Sequence, residues 1–142
     1  MENTIKWKQM YNEDFKKYLD FVVSLKTKLE KLDLSKLPED KKEALCKRYE
    51  KLFSLSCDLL GEYLSYNGIF AVDKSQIIKF AFNTELIDDG QKWINLFFLF
   101  NRFKKEGYEK SGKFILLHLN ADYITLFENL NNYFEKECKQ IN

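Results

Sequence analysis

Apolar residues recur along this chain at steps of three and four, and no stretch alternates in the manner of a strand. The first periodic segment covers residues 4 to 32. Trp7, Tyr11, Phe15, Tyr18, Val22, Leu25 and Leu29 form one helical stripe there, with Lys and Glu on the other side. Residues 33–37 are a short connection. Pro38 then suits the first turn of a second helix, where its missing N–H would be unbonded anyway. Glu39 and Asp40 favour the positive end of that helix. Leu45, Tyr49, Leu52, Phe53, Leu60, Tyr63 and Leu64 repeat at helical spacing, and Asn67-Gly68 is the stop.

Asp73 is the candidate N-cap of a short helix carrying Ile77, Ile78, Ala81 and Phe82. After Leu86-Ile87-Asp88-Asp89-Gly90, one of the two aspartates caps a further helix with Trp93, Ile94, Phe97 and Phe98, ending near Lys105. Residues 106–112 hold two glycines and read as a turn. A last helix over 113–139 places Ile115, Leu116, Leu119, Tyr123, Leu126, Phe127, Leu130 and Phe134 on its buried face. The pattern predicts one all-α domain over residues 1–142. Its architecture is an antiparallel up-and-down four-helix bundle with an additional short helix. Trp93, Phe97, Phe98, Phe100 and Phe103 point several ways, so their helix is either central in the bundle or also covers a partner.

Composition agrees with a self-sufficient aromatic core: 13 Phe and 8 Tyr among 142 residues, with a single Pro and five Gly. Lys+Arg is 23 against 22 Asp+Glu, which argues against broad electrostatic capture of nucleic acid but leaves room for a local basic patch. Cys46, Cys57 and Cys138 are odd in number and form no CxxC pair, so neither a disulfide framework nor a zinc site is expected. The N-terminus is charged and lacks an apolar h-region, and no apolar run approaches the ~20 residues of a membrane span. The expected location is cytoplasmic, with no membrane partner, cofactor or metal.

Candidate chemistry is sparse. No phosphate-binding glycine motif occurs, and His118 is the one histidine, so a Ser-His-Asp system cannot be argued. Asp88 and Asp89 are the adjacent acids of a mid-chain turn, where a cap plus a solvated charge is the ordinary explanation. Arg102, Lys104, Lys105, Lys110 and Lys113 crowd the end of the fourth main helix and the following turn, with Tyr108 among them. Cations suit a helix C-terminus, which accounts for most of the cluster. The functional alternative is an anion or RNA-phosphate patch with Tyr108 as a stacking ring.

The ordered set Arg48-Tyr49-Glu50-Lys51-Leu52-Phe53, Leu59-Leu60-Gly61-Glu62-Tyr63-Leu64, Asn67-Gly68-Ile69, Ala81-Phe82 and Leu86-Ile87-Asp88-Asp89-Gly90 with Trp93 resembles the nucleotidyltransferase substrate-binding subunits, a branch of the HEPN helical bundles. The similar part covers residues 45–108. The resemblance implies a homodimeric four-helix bundle paired with a separate small nucleotidyltransferase, which carries the Gly-Ser and Asp metal motif that this chain lacks. The candidate partner- or nucleotide-binding set is Arg102, Lys104, Lys105, Tyr108, Asp88, Asp89 and Trp93, with RNA or a nucleotide as candidate ligand, although Trp7 and Trp93 are more simply core anchors.

Many HEPN relatives are ribonuclease toxins with an Arg, four to six residues, then a His, often with a Tyr two residues later. In that chemistry His acts as general base on a ribose hydroxyl and Arg stabilises phosphate charge. Here Arg102 takes the Arg place, Gly107 stands where His belongs, and Tyr108 falls one place early. If the helices flanking the turn are antiparallel, Arg102 and His118 lie within ~5 Å along the axis, and His118 can supply the imidazole if its ring faces Arg102. Three readings result: a partner subunit of a nucleotidyltransferase, a metal-independent ribonuclease using Arg102 and His118, and a non-catalytic helical scaffold.

Overall fold

A computed structural model describes residues 5–30, 36–118 and 123–140, all in helices and short connections, with no strand among them. The elements are α1 (Lys6–Met10), a π-helical turn π1 (Tyr11–Phe15), α2 (Lys16–Glu30), α3 (Glu39–Tyr66), α4 (Lys74–Asn83), α5 (Gly90–Glu106), a second π turn π2 (Tyr108–Gly112), α6 (Lys113–His118) and α7 (Ile124–Gln140). The expectations for Thr4, Leu32, residues 33–35 and Leu119 lie outside the described residues, as do those for the Leu25 and Leu29 side chains.

The buried line of the first rod is Trp7, Tyr11, Phe15, Leu19 and Val22, so Leu19 takes the place expected of Tyr18, which is half-buried. Steps of four overshoot an α turn by about 0.4 residue each and drift off one face. The wider π turn at Tyr11–Phe15 absorbs that drift and keeps the next step of four in phase. The helix ends follow the local chemistry. Pro38 sits one position earlier than expected, just before α3, where its carbonyl accepts from the Lys41 and Lys42 amides at 3.1 Å. Gly68, at φ 84°, closes α3, with the Ile69 amide reaching back to Leu64 O at 2.9 Å. Asp73 caps α4 by accepting from the Gln76 amide at 2.9 Å.

Ring contacts give the topology. Trp7 meets Tyr63, whereas Arg48 lies over the Phe21 ring, so the first rod runs antiparallel to α3. Phe53 of α3 packs on Trp93 and Phe100, and Phe103 shares a groove with the first half of α3, so α5 is antiparallel to α3 as well. Trp93 meets Phe127, and Tyr63 donates to Glu137 at 2.9 Å, so α7 runs back alongside α5 and ends beside the close of α3. The architecture is an up-and-down bundle with α4 as the extra short helix. Tyr11 clasps the first rod to α7 by donating to Asn131 Oδ1 at 2.8 Å. No helix among the described residues is long and apolar enough to cross a membrane.

Candidate functional site

The sequence directs attention to the end of α5, and the structure makes that end a sharp corner. α5 stops at Gly107, whose φ 82° and ψ 178° lie in a region that a side chain all but forbids. The turn expected over 106–112 is therefore one glycine at positive φ. Helical winding resumes at once in π2, which docks against the start of α3, where the Cys46 thiol donates to Gly112 O at 3.3 Å.

Tyr108 is a correction to its expected role as a stacking ring. It is 6% exposed, and its hydroxyl is sealed from solvent beside the Glu39 carboxylate, without a hydrogen bond of good geometry. Burial, and then the nearby Glu39 and Cys46, push its pKa up to about 12. No open face remains for a base to stack on.

Arg102 is an open group. Its side chain is 62% exposed, and one guanidinium nitrogen pairs with Glu106 Oε2 at 3.7 Å, one helical turn on. An exposed pair of this kind is worth about 0.3–0.5 kcal/mol and leaves the guanidinium available. Lys104 and Lys105 are exposed in the last turn of α5. His118 ends α6, and its side chain lies outside what the structure describes, as does that of Lys113.

The remaining expected site residues divide between structure and surface. Asp89 is the cap of α5, accepting from the Lys92 amide at 3.2 Å, while Asp88 is exposed. No group of three or more metal-ligating side chains occurs among the described residues. Trp93 is 1% exposed, wedged between Phe53 and Phe127, so it anchors the core and is not a surface on which a partner rests. The aromatic surplus of α5 resolves accordingly. Trp93, Leu96, Phe100 and Phe103 face the core, but Phe98 is 58% exposed. Phe82 of α4 is 49% exposed and lies across Gly90, where an added Cβ would sit 2.9 Å from its ring.

Sequence reasoning missed the opposite wall of the corner. A groove of about 600 Å³ runs between α3 and the α5–π2 corner, lined by Glu43, Lys47, Glu50, Lys51 and Ser54 from α3 and by Lys104 from α5. The helical spacing of the α3 set was legible, since those residues share one face. Which element faces them was not. Comparison with known proteins finds no family model that matches the chain and no curated protein that matches it.

Proposed function

We propose that this chain is a protein-binding module, a HEPN-like dimeric bundle that serves a separate small nucleotidyltransferase as its substrate-binding or toxin-like subunit in the cytoplasm. One observation carries the reading: α4 and α5 leave Phe82 and Phe98 open to solvent, on the two helices that hold the later part of the resemblance. Large exposed aromatics are the residues that protein interfaces bury at their centre. The free cysteines support a reducing location.

The test is co-purification of the tagged chain with a small nucleotidyltransferase encoded beside it. Capture by the wild type, lost in Phe98→Glu at unchanged thermal stability, is the expected result. A strictly monomeric chain that retains no such enzyme would overturn the reading.

The solvent-open guanidinium of Arg102 favours one rival, a metal-independent ribonuclease using Arg102 with His118. Cleavage of RNA by the wild type that is abolished in both Arg102→Ala and His118→Ala would establish it. Equal residual cleavage in all three proteins excludes it.

A further inference from the structure

We propose that the groove between α3 and the α5–π2 corner binds a phosphate ester bearing free hydroxyl groups, such as the phosphorylated end of a sugar. This site lies on the chain itself and stands independently of any nucleotidyltransferase partner.

Three lysines line the groove: Lys47 and Lys51, one turn apart on α3, and Lys104 across from them on α5; Lys51 also borders the neighbouring α2–α3 groove. Among the described residues no carboxylate forms an ion pair with any of them. Lys104 is accounted for by the negative end of α5. Lys47 and Lys51 stand in the body of a 28-residue helix, where that reason is absent. A fourth cation borders the same space, because the Lys74 ammonium donates to the groove-lining Ser54 hydroxyl at 3.3 Å. Against these stand Glu43 and Glu50 in the groove and Glu39 bordering it beside Tyr108, so an excess of one positive charge remains.

The mixture of groups selects the ligand class. Lysines recognise phosphate as point charges. Two carboxylates in the same groove would repel a bare polyanion, yet they accept hydrogen bonds from hydroxyl groups. Phe103 and Tyr108 line the floor, but each is only 6% exposed, so the groove offers no open aromatic plate to a base. Recognition therefore falls on phosphate and hydroxyls.

The experiment is an NMR titration of the isotope-labelled full chain with ribose 5-phosphate, AMP, ribose and inorganic phosphate, each into the millimolar range. The expected result is saturable shifts at Lys47, Lys51 and Lys104 with ribose 5-phosphate and, at comparable affinity, with AMP. Ribose should give none, and inorganic phosphate should bind far more weakly. Lys47→Glu and Lys104→Glu should each weaken binding roughly tenfold or more, because each replaces a charge-assisted contact by repulsion. Lys79→Glu, an exposed lysine of α4 that does not line this groove, should leave it unchanged. These are surface exchanges, so the fold should be retained. Absence of saturable shifts with both esters, or equal affinity in the Lys47 and Lys104 variants, overturns the site. Inorganic phosphate matching the esters overturns the ligand class.

Discussion

The ring of Tyr108 occupies the space that a Cβ on Gly112 would need. The π turn between them brings the ring over the glycine, and Cys46 holds the Gly112 carbonyl from the α3 side. The corner is thus packed through a residue without a side chain. Gly112→Ala should lower unfolding stability by about 1–3 kcal/mol, the usual cost of forcing an atom into a filled space. Urea denaturation measures it, and an unchanged midpoint would show that the ring moves aside freely.

Tyr108→Phe should behave oppositely to a core truncation. The hydroxyl it removes is buried beside Glu39 without a well-formed hydrogen bond, so the change should be neutral or stabilising, by up to about 1 kcal/mol. A clear destabilisation in the same assay would mean that the hydroxyl has a partner in solution.

Gly107→His restores the histidine of the resembled signature, and the backbone opposes it. No atom lies within 4 Å of an added Cβ, so the penalty is conformational alone. At φ 82° and ψ 178° it should come to about 1–3 kcal/mol. A thermal melt of the variant at or above the wild-type midpoint would contradict this.

Glu85 is the reverse case. It holds φ 64° at the end of α4, where the Leu86 amide returns to Ala81 O at 2.8 Å, a position that suits glycine. Glu85→Gly should stabilise the chain by about 1 kcal/mol. A lowered melting temperature would refute it.

Stability should fall at alkaline pH. Burial raises Cys46 and Cys57 from 9.0 to about 12, and Tyr11 and Tyr108 from 10.0 to about 12. These groups are neutral when protonated, and the unfolded chain releases their protons first. Their contribution is therefore full below about pH 9 and is lost as pH rises from there through about 12. Urea midpoints measured upward from neutral pH should stay level to about pH 9 as far as these groups are concerned, then decline. A midpoint rising above pH 10 would reverse the sign.

The helix boundaries were largely legible because they depend on neighbours in the chain. Asp73 and Gly68 cap and close their helices by contacts no more than five residues away. The Asp88/Asp89 ambiguity was open because both can cap, and Asp89 does. Less was legible at the candidate site. The seat of the Phe82 ring against Gly90 depends on another helix, and burial of Tyr108 depends on α3. The outward turn of Phe98 and the inward turn of Trp93 follow from which side of α5 meets α3 and α7.

The order of apolar and polar residues alone determined an all-helical chain, its caps and most of its core, since hydrogen bonding and periodic burial act over a few residues. Only tertiary packing decided that Tyr108 is sealed, that Arg102 is open, and that Lys47, Lys51 and Lys104 face one groove. Those outcomes depend on how far apart and at what rotation separate helices come to rest. That is set by side chains distant in sequence, whose meeting no local period encodes.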